Sequence, residues 1–294
     1  MTEGQVGRVT EGQVGPVGSV TEGRVGSVTE GQVGRATEGQ VGPVTEGRVA
    51  LVTGAGRGIG RAVAHRLSRA GLRVALLARN SAELDETAAG CAGPALAVPA
   101  DVTDQEQIEA AYAEIERTWG PVEVLVAAAG AGHSARLDRT TDADWQRMLD
   151  LNLTAPFRCI RRAVPAMREA GWGRVVVIAS SAARVGEPYI AAYTASKHGV
   201  LGLVRSAAAE LARTGVTVNA VCPGYVDTPM TDATVAGIAS TTGRTLEEAR
   251  QALERKQPIG RLIRPDEVAD AVWFCVAGEA VTGQAIAVDG GAVQ

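Results

Sequence analysis

The sequence is poor in aromatic residues and in cysteine. Only 3% of its 294 residues are aromatic, so a hydrophobic core must rest mainly on aliphatic side chains. No two cysteines form a C-x-x-C pair, and a chain of this length does not need disulfides to fold. We therefore expect four reduced cysteines and no metal site. They are Cys91, Cys159, Cys222 and Cys275.

Long apolar runs and an excess of positive charge are also missing. No run approaches the roughly 20 residues that span a bilayer, and the N-terminus lacks the apolar stretch of a signal peptide. We therefore predict a cytoplasmic protein without a membrane partner. The formal net charge of −4 argues against a nucleic-acid-binding protein, since such proteins usually carry a basic surface.

Lysine is nearly absent, although the chain has 29 basic residues. Lys197 and Lys256 are its only lysines. An ammonium is a compact, mobile point charge, whereas a guanidinium is a planar group of fixed geometry. A lysine kept in an arginine-rich chain therefore suggests a chemical role.

Residues 1–47 form a low-complexity repeat. The tripeptide Thr-Glu-Gly begins at Thr2, Thr10, Thr21, Thr29, Thr37 and Thr45. Such a tract has too little apolar surface to offset the entropy of ordering it, so we predict a flexible tail without a catalytic role. A solenoid is the alternative, but the repeats are short and lack an apolar face.

Residues 48–294 alternate short apolar runs with amphipathic segments and predict a single domain. Continuous apolar runs are typical of parallel strands that are covered on both faces. The fold class is therefore α/β, a Rossmann-type doubly wound parallel sheet of about seven strands. Thr103 with Glu106, and Thr245 with Glu248, predict capping boxes at helix starts. The predicted strands are Val49–Thr53, Arg73–Ala78, Leu96–Pro99, Val122–Ala127, Arg174–Ala179, Thr217–Val221 and Gln284–Val288.

A glycine-rich turn, Thr53–Gly60, lies between the first strand and the first helix. Glycines there allow a tight turn and let the backbone approach a pyrophosphate, and the helix N-terminus offers free N–H groups to the phosphates. The pattern predicts dinucleotide binding. The residues of the turn that we assign to the cofactor are Gly54, Arg57, Gly58, Ile59 and Gly60.

The end of the second strand bears on which dinucleotide binds. In this fold an acidic residue there usually accepts hydrogen bonds from the ribose of NAD, but here the strand is followed by Arg79 and Asn80. Arg79 and Arg57 could each bind a 2′-phosphate through two donors, which favours NADPH/NADP over NADH. The alternative is that both are ordinary surface arginines.

Tyr193 and Lys197 stand four residues apart at the start of a predicted helix and therefore share one face. A neighbouring ammonium stabilises phenolate and would lower the pKa of the tyrosine. Ser180 ends a strand thirteen residues before Tyr193, with Ser181 as an alternative to it. Asn152 is an unexpected amide in a mostly apolar helix.

Taken together, these motifs resemble the short-chain dehydrogenase/reductase family over residues 48–292. The resemblance implies that Tyr193 exchanges a proton with the substrate oxygen and that Ser180 hydrogen-bonds that oxygen. It implies that Lys197 binds the nicotinamide ribose and that Asn152 holds a water molecule linked to Lys197. It also implies that Asp101 and Val102 contact the adenine and that Gly130 lets the backbone pass close to the cofactor. The residues that would line the nicotinamide are Pro223, Gly224, Val226 and Thr228.

One segment departs from the family pattern. Ala127–Gly130 reads Ala-Ala-Ala-Gly where the family commonly has Asn-Asn-Ala-Gly. The two missing amides predict weaker bracing of the sheet and the cofactor, without loss of function.

The remaining motifs resemble polyketide ketoreductases and 3-oxoacyl-thioester reductases, which implies a ketone substrate carried by coenzyme A or an acyl carrier protein. Four arginines on one helix (residues 158, 161, 162 and 168) would either dock that carrier or form a solvated face. His133, Arg184 and Met230 are the candidate substrate contacts. The family also implies a homotetramer.

Two alternatives stay open. Lys256-Gln257-Pro258 is similar to 3-hydroxybutyrate dehydrogenases, which would work in the oxidative direction. The other alternative, from a different class, is a nucleotide-binding sensor without catalysis. The intact Ser180, Tyr193 and Lys197 argue against a sensor.

Overall fold

The structure of the protein is a computed structural model that describes residues 45–293. Most of the predicted tail at residues 1–47 therefore lies outside the described residues. Its last three residues, Thr45–Gly47, are described and pack on the domain. Thr45 is buried, and the Gly47 N–H donates to the Gly71 carbonyl at 2.9 Å. These contacts hold the chain in place just before the first strand.

A seven-stranded parallel sheet forms the centre of the domain, in the order β3-β2-β1-β4-β5-β6-β7. The predicted fold class and strand number are confirmed, and every predicted strand end lies within two residues of the observed one. The strands are β1 Val49–Thr53, β2 Arg73–Ala78, β3 Ala95–Pro99, β4 Val124–Ala127, β5 Gly173–Ile178, β6 Val216–Pro223 and β7 Ala285–Val288.

The helices cover both faces of the sheet. In the described part of the chain they are α1 Gly58–Arg69, α2 Ser81–Ala89, α3 Gln105–Trp119, α4 Asp142–Leu149, α5 Ala155–Glu169, α6 Ala191–Leu211, α7 Pro229–Thr242, α8 Leu246–Glu254 and α9 Pro265–Ala277. A π-helical turn, Asp150–Thr154, joins α4 to α5. None of these helices is both long and apolar enough to cross a membrane.

Alternate residues of each strand enter two separate cores. Val49 and Leu51 of β1 pack with α3, α5 and α6, whereas Ala50 and Val52 pack with α1 and α9. Successive side chains of a strand point to opposite faces, so a strand with helices on both sides must be apolar throughout. All five residues of β1 are accordingly buried.

The sheet order reverses between β1 and β4, and this switch point positions the site. In open α/β sheets, ligands bind beyond the carboxyl ends of the strands where the order reverses. The glycine turn after β1 and the loop after β4 therefore lie side by side. Most motifs of the predicted site follow the carboxyl end of a strand or begin the next helix, whereas Asn152 lies in the π-helical turn between α4 and α5.

The two predicted helix caps had different outcomes. The capping box of Thr245 and Glu248 is confirmed at the start of α8. The predicted box of Thr103 and Glu106 is wrong, because Asp104 caps α3 by accepting from the backbone N–H groups of residues 106 and 107. The Thr103 hydroxyl instead donates to Asp101 at 2.7 Å.

Candidate active site

The glycine turn is built by close backbone contacts. A Cβ atom on Gly60 would lie 2.1 Å from the carbonyl oxygen of Gly54, and one on Gly54 would lie 2.8 Å from the backbone of Ala129. Gly54 also has a φ of +67°, which favours glycine. No side chain fits at these two positions, so the N-terminus of α1 stays open to a ligand. The turn therefore fits the pyrophosphate of a dinucleotide.

The two arginines of the predicted cofactor preference lie near the carboxyl ends of β1 and β2. Arg79 is 81% exposed with its guanidinium 3.9 Å from Asp101, and Arg57 is 66% exposed and 4.0 Å from Glu83. Exposed ion pairs at such distances are weak, so both guanidinium groups remain available to a phosphate. Val102, beside Asp101, is buried. The geometry thus brings the predicted adenine-side residues together.

A hydroxyl group replaces the bracing that the missing amides would provide. The Thr53 Oγ1 atom accepts hydrogen bonds from the backbone N–H groups of Ala128 and Ala129, each at 3.1 Å. These bonds join the end of β1 to the loop after β4 without an asparagine side chain. Sequence reasoning gave Thr53 no such role, because its partners lie 75 residues away in the chain.

The first turns of α6 carry Tyr193 and Lys197 on one face, as predicted. The Lys197 ammonium lies 5.7 Å from the centre of the Tyr193 ring and donates to the carbonyl of Ile178, at the end of β5, at 2.8 Å. A Cβ atom on Gly130 would be 3.6 Å from the same nitrogen. Residues from three predicted motifs therefore meet around one buried ammonium group.

Burial changes the acidity of both groups. It lowers the pKa of Lys197 from 10.5 to about 8, because the charged ammonium is taken out of water. Burial raises the pKa of Tyr193 above its usual value of 10, and a hydrogen bond with Ser180 acts in the opposite direction. The upward shift differs from the lowered tyrosine pKa that the sequence indicates. The phenol is therefore held in its protonated form at neutral pH.

Ser180 and Asn152 complete the predicted group. Ser180 follows β5 and its Oγ atom accepts from the Ala182 N–H at 3.1 Å. Asn152 is fully buried in the π-helical turn, where its amide accepts from Ala131 N–H at 3.2 Å and donates to Ala131 carbonyl at 3.0 Å. Asn152 thus clamps the loop after β4, which explains an amide among apolar residues. The predicted water molecule of Asn152 stays a prediction.

The segment after β6 faces the glycine turn. A Cβ atom on Gly58 would lie 3.2 Å from the Thr228 side chain, so the Pro223–Thr228 segment and the turn after β1 approach each other. Val226 is buried and forms an isolated parallel bridge with Ile263. The cofactor contacts of Pro223, Gly224, Val226 and Thr228 stay predictions.

The predicted substrate residues lie on three separate segments of the chain. His133 lies 3.4 Å from Asp144 and 3.5 Å from Arg147 of α4, so it already has polar partners. Arg184 is exposed on the loop after β5, and Met230 is 47% exposed at the start of α7. These positions leave their contacts with a substrate as predictions.

The cysteines and acidic groups do not form a metal centre. All four cysteines are free, and no cluster of His, Cys, Asp or Glu within residues 45–293 could hold a metal ion. Burial raises the pKa of Cys159 to about 12, so this thiol stays protonated.

Comparison with known proteins identifies the family to which this arrangement belongs. A family model described as short chain dehydrogenase matches residues 48–239. The chain belongs to the short-chain dehydrogenase family. It is therefore an oxidoreductase that acts on CH–OH groups and uses NAD or NADP, as the sequence motifs predict.

Several proteins similar to this short-chain dehydrogenase carry names that state an activity. It is 34% identical to the D-beta-hydroxybutyrate dehydrogenase of Rhizobium meliloti, over 82% of this chain and 96% of the relative. It is 39% identical to the 3-oxoacyl-(acyl-carrier-protein) reductase MabA of Mycobacterium bovis, over 82% and 91%. A crystal structure of an actinorhodin polyketide ketoreductase variant with NADPH superposes with a TM-score of 0.79 at 40% identity, over 84% and 97%.

Proposed function

We propose that this short-chain dehydrogenase reduces the ketone of a 3-oxoacyl thioester or polyketide to a secondary alcohol with NADPH. The observation that carries the proposal is the joint position of Tyr193, Lys197 and Ser180 at the switch point of the sheet, beside the glycine turn. Relatives named as 3-oxoacyl and polyketide ketoreductases support the substrate class.

The roles of the three side chains follow from their chemistry. NADPH, when bound, supplies the hydride that reduces the carbonyl carbon. Tyr193 gives its phenolic proton to the carbonyl oxygen, and the raised pKa keeps that proton in place at neutral pH. Ser180 orients the same oxygen by a hydrogen bond. Lys197 binds the cofactor ribose and stabilises the phenolate left behind on Tyr193.

The preference for NADPH rests on the charge near the carboxyl ends of β1 and β2. Two exposed guanidinium groups, those of Arg57 and Arg79, flank the position where the adenine ribose enters. A 2′-phosphate would gain charge-assisted hydrogen bonds from them, whereas a free 2′-hydroxyl would not. The crystal structure of the polyketide ketoreductase variant was obtained with NADPH, which supports the same choice.

The second candidate function is oxidation of a small 3-hydroxy acid, which the hydroxybutyrate dehydrogenase relative favours. Such a substrate needs a cation for its carboxylate. Lys256 is 2.9 Å from Glu187 and therefore already paired, whereas Arg184 is exposed. The first function is preferred because a thioester needs no cation at that position.

The partner and the assembly follow from the resemblance. We propose a cytoplasmic homotetramer that takes its substrate from coenzyme A or an acyl carrier protein. On α5, the Arg162 guanidinium is paired with Glu109 and Glu116 of α3 at 2.9 and 2.7 Å. Arg161 and Arg168 are exposed and remain the candidates for carrier docking.

The test is a steady-state assay of acetoacetyl-coenzyme A reduction by wild type and Tyr193→Phe. We expect turnover by the wild type with NADPH, and at least a hundredfold loss in Tyr193→Phe, because the phenylalanine has no proton to give. NADPH binding, measured by fluorescence titration, should stay within threefold. Near-normal turnover of the variant would contradict the mechanism, and a preference for NADH above tenfold would contradict the cofactor choice.

A further inference from the structure

Three side chains from three separate segments meet beside the catalytic group. Glu187 lies in the loop between β5 and α6, Tyr225 follows β6, and Lys256 follows α8. The Glu187 Oε2 atom accepts from the Lys256 ammonium at 2.9 Å and from the Tyr225 hydroxyl at 3.1 Å. The ammonium also donates to the Tyr225 hydroxyl at 3.3 Å. We call these residues the Glu187 triad.

The Glu187 triad lies close enough to Tyr193 to act on it. After burial and the bond with Ser180, Tyr225 and Glu187 are the next causes that affect the pKa of Tyr193, and both raise it. Tyr225 directly follows Gly224 of the predicted nicotinamide segment. Glu187 itself lies in the loop that joins Ser180 to Tyr193, so two members of the triad adjoin segments of the predicted site.

A backbone hydrogen bond anchors the loop that carries Glu187. Tyr189 has a φ of +70°, a left-handed conformation that is unusual for a tyrosine. Its carbonyl accepts from the Ala135 N–H of the loop after β4 at 2.8 Å. A strained residue of this kind persists only where its surroundings hold it. The loop is therefore joined to the loop after β4 two residues beyond the Glu187 carboxylate.

The ion pair with Glu187 also determines whether the Lys256 ammonium can bind a substrate. Its side chain is about half exposed at the entrance, and Glu187 holds its ammonium. An unpaired lysine there would be a ligand for a substrate carboxylate, whereas the pair offers no net positive charge. The carboxylate thus neutralises the ammonium that would otherwise attract an anionic substrate.

We propose that Glu187 selects the charge of the substrate, so that the site accepts neutral 3-oxo esters and thioesters and rejects free 3-oxo acids. This inference rests on the proposed function and identifies a specificity-determining residue for it. Lys256 is the group through which part of the selection acts.

The experiment compares two substrates that share the reacting ketone and differ in charge. Acetoacetate is an anion and ethyl acetoacetate is its neutral ester. The quantity measured is the ratio of kcat/KM for acetoacetate to kcat/KM for ethyl acetoacetate, with NADPH, at pH 7. The proteins are wild type, Glu187→Gln, Lys256→Met and the double variant. Glutamine keeps the shape of Glu187 and one oxygen acceptor for Tyr225.

In Glu187→Gln we expect the ratio to rise at least tenfold, because one negative charge is removed and one ammonium is released. In Lys256→Met the ratio should fall, and adding it to Glu187→Gln should remove most of the gain. Glu247→Gln removes the same charge from an exposed position on α8 and should leave the ratio unchanged. A Glu187→Gln variant that changes both substrates by one factor would overturn the proposal.

A binding measurement separates this proposal from the proposed function. Acetoacetate is titrated by calorimetry into each full-length protein loaded with NADP⁺, which needs no turnover. We expect Glu187→Gln to bind acetoacetate at least tenfold more tightly than wild type, and equal affinities would overturn the proposal. If wild type turns over neither acetoacetyl-coenzyme A nor ethyl acetoacetate, the proposed function alone fails.

Discussion

At the scale of single residues, the buried Lys197 links catalysis to stability. Its pKa is about 8 in the folded protein and 10.5 when exposed, so between these pH values the unfolded chain binds one more proton than the folded chain. The free energy of unfolding therefore rises with pH across this window. Below pH 8 both states are protonated, and the full cost of burying the charge remains.

Lys197→Met should remove this pH dependence. From pH 7.5 to 9.5, the wild type should gain about 2 kcal/mol of unfolding free energy relative to the variant, a value that follows from the two pKa values. Urea unfolding at both pH values measures it. Lys256→Met is the matched control. The pKa of Lys256 is raised, so its ammonium does not titrate in this window. Parallel pH dependence in wild type and Lys197→Met would contradict the buried charge.

Which residues form the site can be predicted from the sequence more readily than which groups they contact. Asn152 stands out as an amide among apolar residues, and the structure buries it completely. Its partner, Ala131, is 21 residues away and offers only backbone groups, which no sequence pattern reveals. The Glu187 triad was missed for the same reason, because Glu187 and Lys256 are 69 residues apart. The only feature of the sequence that pointed to this triad was the rarity of lysine.

At the scale of elements, the strands could be predicted because β1, β2, β5 and β6 are nearly continuous apolar runs between helices. The start of α3 could not, because Thr103 and Asp104 are both good capping residues and each is followed three residues later by Glu or Gln. The Thr103 hydroxyl donates a hydrogen bond to Asp101, and Asp104 therefore caps the helix. Local competition between neighbours determined that boundary.

The turn between β1 and α1 depends on a contact that a single methyl group would break. In Gly60→Ala the new Cβ would meet the Gly54 carbonyl at 2.1 Å and the Gly54 carbonyl carbon at 2.7 Å, both of them backbone atoms that cannot rotate away. We expect a loss of about 1–3 kcal/mol in unfolding free energy and at least tenfold weaker NADPH binding, because the phosphate-binding N–H groups must shift.

Gly237 in α7 provides the matched control for this test. A Cβ atom there has no neighbour within 4 Å, so Gly237→Ala should stabilise the helix by about 0.5–1 kcal/mol. Denaturant unfolding and calorimetric titration with NADPH measure both variants. Unchanged affinity in Gly60→Ala would mean that the turn does not bind the pyrophosphate.

At the scale of the whole molecule, residues just before β1 pack against the rest of the domain. The Gly47 carbonyl accepts from the Arg73 side chain at 2.8 Å, and the Arg48 guanidinium lies 3.7 Å from the centre of the Trp172 ring. Arg48 also pairs with Glu123 at the start of β4. Residues 45–48, in the last copy of the Thr-Glu-Gly repeat, therefore contribute contacts to the domain.

Deleting residues 2–44 should consequently leave the enzyme intact, whereas deleting residues 2–48 should not. For the shorter deletion we expect kcat/KM with acetoacetyl-coenzyme A within twofold of wild type and an unchanged unfolding midpoint in urea, because every contact of Thr45–Arg48 is kept. The longer deletion removes the ion pair with Glu123, the Trp172 contact and the Gly47 hydrogen bonds, and should cost about 1–3 kcal/mol. Lost activity in the shorter deletion would show that the repeats take part in catalysis, and equal stability of the two deletions would place the start of the domain after Arg48.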